Sequence, residues 1–229
     1  SHRVPGASGA PLKFTFDGKP YTGIEGDTLA SALLANGVRV MGRSFKYHRP
    51  RSPWSAWVDD PNAIMTVRKG AVELPNCPAT TTYLENGMKA QAVNAYPSAA
   101  FDIKGGLDLF HRWLGAGFYY KTFIWPNWHL FEPAIRKMAG LGHVTDKVLD
   151  GYSADQIHDS CEVLIMGGGP AGLAAARAAA EAGLNACLVE DHKSLGGGAL
   201  LEQTIEGHAP TEWAAAHAQA ITEAGGRIF

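Results

Sequence analysis

Residues 163–191 read VLIMGGGPAGLAAARAAAEAGLNACLVED: an apolar strand, a tight glycine turn, an alanine-rich helix, a second strand and an acid. Each part has a task in binding a dinucleotide. Gly167 lets the chain turn out of the strand, Gly169 leaves no side chain between backbone and pyrophosphate, and Gly172 lets the helix pack closely on the sheet. Pro170 and Ala171 open the helix, where the missing proline donor costs nothing. The pattern predicts a helix from Pro170 to Ala182, stopped by Gly183, with phosphates held on its free N–H groups and positive end. A strand from Ala186 to Val189 delivers Glu190, eighteen positions after Gly172, where an acid reaches the hydroxyls of an adenosine ribose, and Asp191 stands beside it. An acid there repels a 2'-phosphate and disfavours NADP. Gly197-Gly198, separated from Glu190 by six residues, resembles the acid-then-glycine-pair pattern of flavoproteins with two dinucleotide-binding domains. On the residues alone, FAD and NAD both remain open.

Composition narrows the classes around this unit. A formal charge of -2 supplies no basic excess to drive nucleic-acid binding. No stretch approaches the roughly 20 apolar residues that span a bilayer; the best, Phe118 to Trp128, is broken by Lys121 and Pro126. The opening SHRVPGASGAP has no apolar segment of the kind that directs secretion. Cys77, Cys161 and Cys187 are three in number and far apart, which fits a reducing cytoplasm better than a disulfide framework. The chain ends as a third strand begins at Arg227-Ile228-Phe229, after a helix expected from Thr211 to Ala224, so it is expected to be the N-terminal part of a longer subunit.

Upstream, residues 1–95 read as a mainly β domain. Leu12, Phe14 and Phe16 alternate with polar residues, Asp17-Gly18 turns back into a strand from Tyr21 to Ile24, and Asp27 is placed to cap a helix from Thr28 to Asn36 that Gly37 ends. Hairpin, helix and strand in that order open a β-grasp fold. A second hairpin is expected from Thr80–Glu85 and Met88–Val93, joined by Asn86-Gly87. Between them, Lys46, His48 and Arg49 lie in a basic, aromatic loop from Gly42 to Arg51, which reads either as an anion-binding or docking loop or as a solvated surface.

Residues 96–160 form an aromatic-rich helical connector. Phe110, Trp113, Phe118, Tyr119, Tyr120, Phe123, Trp125, Trp128 and Phe131 crowd together there, as anchors for another surface or as an ordinary core. Residues 161–229 are the first part of a Rossmann-type dinucleotide-binding domain. The whole is therefore an α/β chain with a β-grasp first domain.

SFKYHRP (44–50), DPNA (60–63), NGM (86–88), AGFYYKTFIWP (116–126) and GGGPAGLAAA (167–176) together resemble the α subunits of heterotetrameric sarcosine oxidases. The likeness runs from Leu12 onward, and its most specific parts are SFKYHRP and GFYYKTFIWP. It implies a ferredoxin-like β-grasp domain followed by a domain that holds NAD. It also implies a smaller β subunit bearing FAD, where a secondary N-methyl amine is oxidised, with further small subunits. An FMN between α and β would pass electrons to oxygen, and a folate-binding domain absent from this chain would capture the one-carbon unit. Related subunits keep a [2Fe-2S] cluster on four thiolates in the β-grasp domain. Only Cys77 lies in that domain here, so a cluster-free version is expected, with Lys46, His48 and Arg49 helping to hold a phosphate or a partner. After Arg51 this chain has Ser52-Pro53-Trp54-Ser55-Ala56-Trp57 where a glycine and small apolar residues are expected, which leaves the amine open.

Other chemistry is sparse. His111, His129, His143 and His158 have no second ligand at motif spacing, and Ser194 lacks a nucleophile-elbow pattern. No catalytic constellation is expected in this chain. The competing classes are an NAD(P)H-dependent FAD reductase and a non-catalytic nucleotide-binding scaffold.

Overall fold

The computed structural model describes residues 9–115, 117, 122–140, 156 and 158–229. Phe118, Tyr119, Tyr120, Lys121, His143 and most of the N-terminal SHRVPGASGAP fall outside them. The chain divides into two units, Ser1–Tyr152 and Ser153–Phe229.

The first unit is built on a hairpin. Strands β1 (Pro11–Phe16) and β2 (Lys19–Ile24) pair antiparallel with Phe14 opposite Tyr21. Asp17 and Gly18 both take positive φ, 48° and 78°, which matches the right-handed twist of the strands they join. Alternation buries Phe14 and Phe16 against helix α1 (Leu29–Ala35), whose Leu29 and Leu33 are wholly buried. The cap of α1 is Thr28, not Asp27. Thr28 Oγ1 accepts from Ser31 N at 3.2 Å, and Ser31 Oγ accepts from Thr28 N at 3.0 Å. Asp27 is buried one residue earlier and closes the preceding turn, accepting from Ile24 N at 2.9 Å and from Ser31 Oγ at 2.8 Å.

Two short strands follow, β3 (Gly42–Arg43) and β4 (Pro50–Arg51), paired antiparallel around the basic loop. Next come β5 (Ile64–Lys69), β6 (Val72–Pro78) and β7 (Lys89–Ala92). The main sheet runs β2-β1-β7-β5-β6, with β7 parallel to β1 and antiparallel to β5. Parallel central strands between two hairpins, with one helix laid across, are a β-grasp arrangement.

The expected hairpin around Asn86-Gly87 does not form. Pro78 O accepts from both Thr82 N and Thr82 Oγ1 in a tight turn, and Tyr83 forms an isolated bridge with Thr28. Asn86 Oδ1 accepts from Lys13 N at 2.9 Å and Gly87 N donates to Lys13 O at 2.7 Å, so this turn bonds to β1 rather than to a strand of its own. The second hairpin is β5–β6, turning at Gly70 with φ 59°. A 3-10 turn (Ile103–Phe110) and helix α2 (Trp128–Ala139) complete the described part of this unit. Trp113 and Trp125 are exposed, whereas the Phe123 and Phe131 rings meet at 5.1 Å.

The second unit has three parallel strands in the order β10-β9-β8: β8 (Val163–Met166), β9 (Ala186–Val189) and β10 (Arg227–Ile228). Helices α3 (Pro170–Glu181) and α4 (Pro210–Glu223) follow β8 and β9 in turn. Leu173, Ala176, Leu188, Ala214 and Ile221 form the core, with Ile165 and Ile228 packed on it. The run of alanines in α3 permits this approach. Alternation along β8 leaves Leu164 and Met166 exposed while Ile165 faces the core.

Candidate dinucleotide site

The site lies where β8 and β9 end and α3 begins. Gly167, at φ 98°, donates its N–H to Val189 O at 2.7 Å and so turns the chain across the end of β9. Gly169 is the N-cap of α3 and Pro170 its first residue, with neither a side-chain cap nor an acid in the first turn. The leading N–H groups are thereby left for a ligand. A Cβ on Gly169 would meet nothing within 4 Å, so the space in front of this backbone is open. At Gly172 a Cβ would sit 1.8 Å from Gly167 O. Only glycine lets the helix come so close to the turn.

A second glycine loop closes on the first. Gly196 N donates to Gly168 O at 2.8 Å, and a Cβ on Gly197 would lie 3.0 Å from Gly169 Cα. Gly197, at φ 51°, begins a 3-10 turn (Gly197–Leu201), and a Cβ on Gly198 would meet nothing within 4 Å. Gly167, Gly169, Pro170, Ala171, Gly172, Gly197 and Gly198 are thus brought together. They form an open backbone cradle at a helix N-terminus, which fits a pyrophosphate.

Glu190 folds back onto the turn. Its Oε2 accepts from Gly168 N at 2.6 Å, and its Oε1 accepts from His192 N at 2.8 Å and lies 2.8 Å from His192 Nδ1. Burial alone would raise the Glu190 carboxyl, but the amides of His192 and Gly168 and the His192 ring outweigh it and hold the group at about 2. Glu190 is therefore a pure acceptor at neutral pH, with lone-pair capacity left on Oε2 for a ribose hydroxyl. Asp191 is exposed, and its Oδ1 also lies 2.8 Å from His192 Nδ1. Gly168, Gly196 and His192 were not singled out from the sequence. The signal available for His192 was its place directly after an acid pair at a strand end.

The basic loop lies in the other unit, and its three named residues each have a partner there. Lys46 Nζ donates to the carbonyls of Leu114 and Gly115, and Tyr47 OH donates to Leu114 O at 2.7 Å. His48 is buried, with Nδ1 2.7 Å from Asp102 Oδ2. Arg49 donates through Nε and Nη2 to Asp108 Oδ1 at 2.9 and 2.7 Å, with both side chains about half exposed. The loop is stitched to residues 102–115 of its own unit.

The sequence of this chain is 50% identical over 210 residues, 89% of its length, to the sarcosine oxidase subunit alpha of Rhizobium meliloti. The chain is a homologue of sarcosine oxidase α subunits. A second such α subunit, from Corynebacterium sp., is 31% identical over 189 residues. This chain spans 21% of the Rhizobium α subunit and 15% of the Corynebacterium one. Two family profiles match: one described as a 2Fe-2S iron-sulfur cluster binding domain over residues 9–95, and one described as FAD dependent oxidoreductase over residues 162–224. The crystal structure of L-proline dehydrogenase from P. horikoshii superposes on 98% of this chain and 34% of its own at a TM-score of 0.53 and 19% identity, a likeness of fold alone.

The iron-sulfur profile and the residues beneath it disagree. A [2Fe-2S] cluster takes four thiolates, or two thiolates and two imidazoles. Residues 9–95 contain one cysteine and one histidine. Cys77 donates to Leu74 O at 3.5 Å, and His48 is engaged by Asp102. The residues present do not fit that cluster.

Proposed function

We propose that this chain is the nucleotide-binding part of the α subunit of a heteromeric, flavin-dependent amine oxidase of the sarcosine oxidase kind. Its domains are the β-grasp domain of residues 1–95, the connector of 96–160 and the first part of the dinucleotide-binding domain from 161. The assembly converts a secondary N-methyl amine to an imine and passes the electron pair to oxygen. Amine oxidation belongs to FAD on a smaller β subunit, with FMN between the subunits and folate as a candidate acceptor of the one-carbon unit. The whole is cytoplasmic. Among the described residues no helix is long and apolar enough to cross a membrane.

The observation that carries this reading is the 50% identity to a sarcosine oxidase α subunit over 89% of the chain, together with the glycine cradle at Gly169. Within this chain the residues bind and orient rather than react. The α3 N-terminus and the Gly197-Gly198 loop take the phosphates. Glu190 accepts from the adenosine ribose and disfavours a 2'-phosphate, which favours NAD over NADP. NAD, when bound, supplies a hydride acceptor, but no acid, base or nucleophile of this chain is placed for such a transfer among the described residues.

The FAD dependent oxidoreductase profile over residues 162–224 favours a second reading, in which the same cradle holds FAD and the protein is an NAD(P)H-dependent reductase. Anaerobic titration of the purified assembly separates the two. Bleaching of flavin by an N-methyl amine such as sarcosine, and not by NADH, supports the oxidase. Bleaching by NADH without any amine overturns it.

A further inference from the structure

At the ribose end of the cradle, one imidazole edge faces two carboxylates. His192 Nδ1 lies 2.8 Å from Glu190 Oε1 and 2.8 Å from Asp191 Oδ1. The His192 and Glu190 side chains are 12% and 9% exposed and that of Asp191 is 91% exposed, so the ring joins an inner acid to an outer one. A bare nitrogen lone pair facing two carboxylate oxygens would be repelled by both. Nδ1 therefore carries the proton and donates to the pair. The backbone N–H of His192 adds a second donor to Glu190 Oε1.

We infer that His192 is a positioning residue that sets nucleotide specificity. It pins Glu190 and Asp191 together at the end of β9 so that the site takes a ribose with a free 2'-hydroxyl and rejects a 2'-phosphate. The inference rests on the dinucleotide reading of this site. Its reasoning is local. With Oε1 held by His192 and Oε2 by Gly168 N, Glu190 cannot swing away from an incoming phosphate. Asp191 stands in solvent beside it, with its Oδ1 on the same ring nitrogen. Without the ring N–H the two carboxylates separate, and both the acceptor for the 2'-hydroxyl and the repulsion of a 2'-phosphate weaken. The ligand class is the adenosine half of NAD or FAD.

The test is equilibrium binding of NADH and NADPH to the full-length protein after removal of bound nucleotide, comparing wild type with His192→Ala, His192→Asn and His192→Gln. Asparagine carries an N–H donor at the position of Nδ1, whereas the glutamine amide sits one bond further out. His192→Ala is expected to weaken NADH roughly tenfold, as loss of a hydrogen bond to a charged group does, with a smaller change for NADPH, so that the preference narrows. His192→Asn restores the preference and His192→Gln does not. Equal weakening of both nucleotides in His192→Ala, or identical behaviour of the Asn and Gln variants, would show a merely structural residue and overturn the assignment. Failure of the wild type to bind NADH at all would instead overturn the NAD reading of the site, and this assignment with it.

Discussion

Gly169 and Gly172 are three residues apart, yet alanine at each should fail in a different way. At Gly172 the new methyl would stand 1.8 Å from Gly167 O and 3.0 Å from Gly167 C, both backbone atoms of the turn. Opening that gap to an ordinary ~3.5 Å contact moves the start of α3 by more than about 1 Å. Overpacking of this kind costs about 1–3 kcal/mol, which a helix-propensity gain of at most ~1 kcal/mol does not offset. The N–H groups that face the phosphates shift by the same distance. Gly172→Ala should therefore lower the melting temperature of the second unit by several degrees and abolish measurable NADH binding. Gly169, at φ -72°, has an ordinary backbone and nothing within 4 Å of the added methyl. Gly169→Ala should melt within ~0.5 kcal/mol of wild type. It should nevertheless weaken NADH by at least about tenfold, because the methyl stands where the pyrophosphate approaches. Differential scanning calorimetry and NADH fluorescence titration of the full-length protein read both effects. NADH binding at wild-type affinity in Gly169→Ala would refute the placement of the phosphates. Wild-type melting in Gly172→Ala would refute the close packing of helix on turn.

Three more outcomes follow from the same geometry. Glu190 is held at about 2 against an ordinary 4.5, so it favours the folded state above about pH 4.5 and loses that contribution as pH falls toward 2; Glu190→Gln should remove this part of the acid sensitivity, measured by urea unfolding across that range. His48 and Asp102 are both 0% exposed at the side chain, so Asp102→Ala leaves a buried imidazole nitrogen without its partner and should cost about 1–3 kcal/mol in denaturant unfolding, with Asp102→Asn costing less. The exposed Arg49–Asp108 pair should matter little: Arg49→Ala is expected to leave both melting temperature and NADH affinity unchanged, and a loss of NADH binding would give the basic loop a role in that site.

What could be read from sequence divides along physical lines. The second unit was legible because its signals are local and agree. The predicted helix from Pro170 to Ala182 forms at Pro170–Glu181, and Ala186–Val189 forms as predicted, since turn, period and stop residue point the same way. The contact of Gly196 N with Gly168 O and the grip of His192 on Glu190 were not legible, because they depend on where a later loop returns in space. In the first unit the opening hairpin was clear from Asp17-Gly18. The Asn86-Gly87 signal misled because its backbone is satisfied by Lys13 of β1, a partner seventy-odd residues away. Asp27 and Thr28 are both good caps, and only the tertiary demand on Asp27 from Ile24 N decides between them. The basic loop read either as an anion-binding or docking loop or as a solvated surface, and the carbonyls of Leu114 and Gly115 that take up Lys46 carry no sequence signature.

The central claim is that the cradle at Gly169 holds NAD in an assembly whose amine chemistry lies elsewhere. The most direct measurement is to denature the purified full-length protein with its co-purifying subunits and quantify the released nucleotides by liquid chromatography and mass spectrometry. The account predicts one NAD per copy of this chain, together with flavin on a smaller subunit. FAD alone, released from a homo-oligomer of this chain, would contradict it.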